Sequence, residues 1–291
     1  MSLVNALPIF FCAEMVADSR GFSPSAAKPA AVVGSWQRLG LPLTVHAPEP
    51  ATRAELSRAH DSQFVSDVLE LRRDNGFGNR SPEVAASLLW TNGAMRSAAR
   101  HALRNGGAAV APCSGFHHAR WARASGFCTF NGLMVTAAAL HAEGAVRIGI
   151  LDCDHHYGDG TDDIISRIDA KSWLRHASAG KYFDSPSDAP EFFTWLPAVL
   201  RTFADCDVVL YQAGADPHID DPLGGWLSTA QLYERDRLVF GSLAAARVPV
   251  AWNLAGGYQR EPDGSIPKLL EIHDNSLRAC AEAMLGRHHH R

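Results

Sequence analysis

The sequence predicts an open α/β fold: one sheet, mostly parallel, with helices on both faces. Three observations carry this. Short apolar runs alternate along the chain with longer stretches of helical periodicity. Several runs are nearly unbroken by polar residues, as strands covered on both faces must be. Polar and glycine-rich residues follow four of the runs directly, where open α/β sheets bind their ligands.

Taken in order, the first strand is expected at residues 8–12. The residues before it are apolar but lack the basic start of a signal peptide, so they read as the approach to a buried strand. A helix is expected over 26–39, a strand at 43–46, and helices over 51–60 and 84–105. A short Ala/Val strand follows at 108–111, then a helix at 132–143 and a strand at 146–152. The remaining elements are helices at 191–204 and 229–245 and strands at 207–212 and 248–255. No linker, low-complexity block or repeat interrupts them. Residues 1–291 therefore read as one domain, with 286–291 a tail set aside from the site.

Composition narrows the class. Hydrophobic residues are 46% and charged residues 20% of the chain, which excludes a disordered chain, a coiled coil and a collagen. The formal net charge is −4 with no basic block, so general nucleic-acid binding is not expected. No run approaches the roughly 18 apolar residues of a membrane span. The six cysteines are far apart with no C-x-x-C pair, which suits free thiols in a reducing cytoplasm.

Four strand ends carry the chemistry, and they should converge on one crevice. The richest is Asp152-Cys153-Asp154-His155-His156-Tyr157-Gly158-Asp159. Residues two apart on a strand share a face, so Asp152, Asp154 and His156 are candidates to line one side. Two oxygen ligands and one imidazole suit a divalent metal with an open position; the bland alternative is a polar strand end capping the next helix. Asp216, in Gln212-Ala213-Gly214-Ala215-Asp216-Pro217-His218, is a candidate third ligand, or else a turn former before proline. His117 and His118, in Ser114-Gly115-Phe116-His117-His118, are candidate bases. Each needs a carboxylate on its far nitrogen, and Asp152 and Asp159 are available. Tyr258 follows Gly256-Gly257; a phenol with an ordinary pKa near ~10 can donate to a developing oxyanion, although a lone Tyr is more often a packed aromatic.

Together, S-G-F-H-H-A…A-S-G-F-C-x-F-N, L-D-C-D-H-H-Y-G-D-G-T, Q-A-G-A-D-P…D-P-L-G and A-G-G-Y resemble, in order and spacing, the histone deacetylase family and its bacterial acetylpolyamine amidohydrolase relatives. The resemblance implies the arginase/deacetylase fold and a zinc-dependent deacetylase acting on acetyl-lysine or a small acetylated amine. It implies Zn2+ or Fe2+ on Asp154, His156 and Asp216. It implies His117 backed by Asp152, His118 backed by Asp159 as principal general base and acid, and Tyr258 polarising the carbonyl. Gly126 and Phe127 match one wall of the acyl channel, Phe183 the opposite wall and Leu223 a further channel residue. A structural K+ near Asp152, Asp154 and His156 is expected with it.

The chain also departs from the family. The segment between Phe183 and Gln212 is shorter than in typical members, which opens the pocket mouth or leaves a homo-oligomer to rebuild it. Arg80 stands where several relatives have an acid, and Lys28 where relatives often have an arginine. An arginase-like ureohydrolase and a catalytically silent acyl-ligand-binding protein are the competing readings. The first needs D-x-H-x-D, and the last position here is Gly158.

Overall fold

Among the described residues seven strands, all paired in parallel, form one sheet in the order β2-β1-β3-β7-β6-β4-β5. They are β1 (Leu7–Phe10), β2 (Leu43–His46), β3 (Ala108–Ala111), β4 (Ile148–Asp152), β5 (Leu174–Ser178), β6 (Val208–Gln212) and β7 (Val250–Asn253). The structure is a computed structural model that describes residues 6–285; the tail expected at 286–291 lies outside these.

Alternation along the strands builds two cores. Ala108, Val110, Leu151, Val209, Tyr211, Val250 and Trp252 face one side. There they meet α1 (Lys28–Gln37), α7 (Ala189–Thr202), α8 (Thr229–Ala246) and α9 (Pro267–Leu285). Ala109, Ala111, Ile148, Ile150, Val208, Leu210 and Ala251 face the other side. That side is covered by α2 (Arg53–Leu56), α3 (Ser62–Leu69), α4 (Pro82–Asn105), α5 (Gly132–Ala142) and α6 (Asp159–Arg167). Burial on both faces explains the unbroken apolar runs.

Local chemistry sets the helix ends. Ser81 accepts from the Val84 N–H, Pro82 opens α4, and Gly106 at φ +76° ends it. Asn131 caps α5 by accepting from the Met134 N–H. The expected helix at 51–60 is only the short α2, which opens with a Thr52–Glu55 capping box and breaks into turns after Leu56. Three helices and one strand were not read from the sequence: α3, α6, α9 and β5. Strand β5 (Leu-Arg-His-Ala-Ser) is a polar edge strand without an apolar run. Helix α9 buries His273 and Ser276 among its apolar residues, a face that reads as mixed until α8 packs on it.

Register places the site. Asp152 lies opposite Gln212, Gln212 opposite Asn253, and Asn253 opposite Ala111. The four chemistry-bearing loops therefore leave the sheet from one edge, at the carboxyl ends of its strands.

Candidate active site

Asp154 leaves β4 just past Asp152, and Asp216 follows β6 across small residues. A Cβ on Gly214 would lie 2.6 Å from the Asp154 Cα, and one on Gly256 would lie 2.2 Å from an Asp216 oxygen. Glycine at both positions is what lets the loops touch. As a result Asp154, His156 and Asp216 bring one ligand atom each within 4.8 Å of one another. Asp154 and Asp216 are buried, and His156 is partly open. Backbone donors orient the carboxylates: Gly256 N–H to Asp154 Oδ2 at 2.8 Å, His155 N–H to Asp216 Oδ1 at 3.1 Å.

Electrostatics favour a cation here. Burial opposes ionisation of Asp154, but the imidazoles of His117 and His156 outweigh it and hold the carboxyl well below the usual carboxylate range. Burial, reinforced by the Asp154 charge, pushes Asp216 up. Hydrogen bonds to Asp154 and Asp216 lift His156 to about 10. Two buried carboxylates that resist joint ionisation, beside one imidazole, fit a single divalent ion.

The tandem histidines form two dyads. His117 Nδ1 donates to Asp152 Oδ2 at 2.8 Å, and His118 Nδ1 donates to Asp159 Oδ1 at 2.7 Å. Both Nε2 atoms are thereby left free of the dyads; His117 Nε2 lies 3.5 Å from Asp154 Oδ1, and the His118 ring lies 5.7 Å from that of His156, centroid to centroid. Their environments differ. Burial alone would lower His117, but Asp154 and Asp152 raise it to about 9. Burial and the charge of His117 lower His118. Arg120 shares Asp159 with His118.

Tyr258 completes the pocket. Its N–H donates to Asp221 Oδ2 at 2.8 Å, and its ring packs on Phe127 and Phe22 at centroid distances of 5.5 and 6.1 Å. Burial, then the charge of Asp216, raises the phenol far beyond its ordinary pKa, so it remains a donor. Gly126 (φ +53°) passes so close to His118 that a Cβ would lie 2.5 Å from its Cδ2. Two non-glycine residues, Phe127 (φ +61°) and Ala255 (φ +52°), also adopt left-handed backbone at this pocket.

The structure brings together His117, His118, Asp152, Asp154, His156, Asp159, Asp216, Gly126, Phe127 and Tyr258. It corrects Phe183, expected as a channel wall. That side chain is buried in the apolar core against Phe192, Trp195 and Trp226, because the short segment after it folds straight into α7. Leu223 is 39% exposed in the loop beside His155, outside the pocket that holds Phe127 and Tyr258. Arg80 is exposed and paired with Asp74 at 2.7 Å, so its charge is partly cancelled locally.

Three supporting residues were not assigned a role from sequence. Gln212 donates to Asp152 Oδ1 at 3.1 Å. Asp221 holds the Tyr258 backbone, and its place in Asp-Pro-Leu-Gly was the available signal. Lys28 is buried and donates to the carbonyls of Ala255 and Gly256 at 2.8 and 3.2 Å, bracing the strained turn before Tyr258. Burial draws its ammonium down to about 8 despite nearby Asp216, Asp154 and Asp221.

The architecture recurs in the HD domain of HDA15, with a TM-score of 0.76 over 98% of this chain and 91% of that one. At 20% identity that likeness defines the class of fold, the arginase/deacetylase fold. Sequence narrows the class. The histone deacetylase domain family matches residues 25–174, more than half of the chain. An uncharacterized protein of Picosynechococcus sp. is 30% identical over 75% of this chain and 80% of its own length. Acetylpolyamine amidohydrolase 2 of Pseudomonas aeruginosa is 28% identical over 51% of this chain and half of its own length. The chain belongs to the histone deacetylase family.

Proposed function

We propose that this protein is a metal-dependent amidohydrolase that removes an acetyl group from an acetylated amine, zinc or ferrous iron being the ion. The observation that carries this reading is the Asp154–His156–Asp216 cluster facing two His–Asp dyads and a buried phenol. An ion held there supplies Lewis acidity, polarising a carbonyl and acidifying water. His118, fixed by Asp159, accepts the proton of the attacking water and returns it to the leaving amine. His117, held by Asp152, lies within reach of the same proton and orients the water. Tyr258 donates to the oxyanion of the tetrahedral intermediate. Gly126 and Phe127 form the wall along which the acyl group enters.

The acetylpolyamine relative and the family name support acetyl-lysine or a small acetylated amine as substrate. Structural features weigh against the ureohydrolase alternative. A side chain at Gly158 would collide with Asp152 Oδ2 at 2.5 Å, and His218 is buried and bonded to Thr229 and Gln259. Among the described residues one cluster of three ligating side chains is found, which favours a single transition ion. A structural K+ near Asp152 belongs to the same proposal, and K+ dependence of the melting temperature tests it.

The test is hydrolysis of an acetyl-lysine fluorogenic amide and of acetylpolyamines, before and after chelation and after return of Zn2+ or Fe2+. Activity lost to chelator and restored by one ion per chain supports the proposal. Chelator-resistant turnover, two ions per chain, or binding without turnover refutes it. Among the described residues no helix is long and apolar enough to cross a membrane.

A further inference from the structure

Arg235 is a charged residue in the middle of α8 that is fully buried, a rare fate for arginine unless it is paired. Its Nε donates to Asp236 Oδ1 at 2.9 Å. Its Nη1 donates to two backbone carbonyls, Gly214 O at 2.7 Å and Cys153 O at 3.2 Å. Cys153 immediately precedes Asp154, and Gly214 lies two residues before Asp216. One guanidinium therefore ties together the two loops that carry the two carboxylate ligands. Asp236 is held in turn by the hydroxyls of Tyr211 on β6 and Ser276 on α9. The support thus runs from α9 through Asp236 and Arg235 to the two loops.

A buried ion pair is weak evidence for stability, since apolar residues of similar volume often serve as well. Apolar residues cannot donate to two carbonyls on separate loops. The fork of an arginine can, with a geometry that is rigid once one edge is locked by Asp236.

We infer that Arg235 is a positioning residue for the metal centre: it sets the spacing of Asp154 and Asp216 by clamping the carbonyls of Cys153 and Gly214. This rests on the metal-site reading above. It predicts that the clamp governs metal affinity and ligand geometry, separately from fold stability.

The experiment is titration of the chelator-stripped full chain with Co2+, read by its d–d absorption bands, with melting of each apo protein recorded in parallel. Arg235→Lys keeps the charge but loses the fork. Arg235→Met combined with Asp236→Asn removes both charges and keeps an acceptor for Tyr211 and Ser276, so it is the readout if the single variant does not fold. Each is expected to weaken Co2+ binding by about 10–100-fold, as loss of a ligand-orienting partner does, and to shift the bands. Tyr211→Phe is the control: it lowers the melting temperature but leaves Arg235 on the carbonyls, so Co2+ affinity and bands hold. Wild-type affinity and spectrum in the folded Arg235 variants would overturn the inference alone. So would an equal affinity loss in Tyr211→Phe, because the effect would then track stability. Absence of saturable Co2+ binding by the wild type would overturn the metal reading and the inference with it.

Discussion

Replacing Tyr258 by Phe removes one oxygen and leaves the ring packing on Phe127 and Phe22 intact. The hydroxyl makes no hydrogen bond to the described residues, so its loss leaves no protein partner stranded, and the turn is still held by Asp221 and Lys28. Stability should change by no more than about 0.5 kcal/mol, the range for substitutions that break no network. Catalysis should change far more. Burial, then the nearby carboxylates, hold the phenol well above its ordinary pKa, so the hydroxyl is available as a donor. Removing one preorganised oxyanion donor costs about 3–4 kcal/mol, so kcat should fall by about 10²–10³ while KM moves little. The assay is steady-state hydrolysis of an acetyl-lysine fluorogenic amide by metal-loaded protein, with Co2+ affinity and melting temperature measured alongside. A variant that keeps full kcat, with the metal bound, refutes the oxyanion role. A large fall in melting temperature refutes the claim that the hydroxyl is structurally idle.

Three other outcomes are expected. Gly126→Ala puts a methyl group 2.5 Å from the His118 ring on a left-handed backbone; kcat should drop about 10–100-fold from the displaced base, with about 1–2 kcal/mol lost in urea unfolding. Adding Zn2+ to chelator-stripped protein should raise its unfolding free energy by about 4 kcal/mol at a thousandfold excess over Kd, and Asp216→Ala should abolish that gain in calorimetry. His60 is buried, with Nδ1 donating to the Arg120 carbonyl and Nε2 accepting from the Asn131 N–H, and burial lowers it from 6.5 to about 4. The unfolded chain therefore binds the extra proton first. The His60 contribution is fully present above about pH 6.5 and is lost as pH falls towards 4, by up to about 3 kcal/mol; His60→Gln should flatten that slope in denaturant titrations at pH 5 and 7.

The strands and the candidate cluster of Asp154, His156 and Asp216 were legible because each depends on neighbours in the chain. A strand buried on both faces has to be apolar throughout, so β3, β4, β6 and β7 announced themselves. Asp154 and His156 lie two residues apart on one run, and glycines beside Asp216 and Tyr258 marked close approaches before any contact was known. Strand β5 was missed because an edge strand need not be apolar, and α9 because its inner face mixes His273 and Ser276 with leucines that only α8 and α1 seal from water. Phe183 was misplaced because an aromatic in a loop carries no mark of which way it turns.

What the chain alone determined was therefore the chemistry: which side chains hold protons, oxygens and imidazoles, and on which strand ends. What only the tertiary structure decided was how those groups are supported. Arg235 sits in α8, 82 residues from Cys153, and Lys28 sits 227 residues from Ala255. Arg235 carries no role in the sequence reading, and Lys28 stands out there only as replacing an arginine of relatives. Burial decides both, because a charge removed from water must find partners, and the carbonyls it finds belong to whichever loops the sheet has brought beside it.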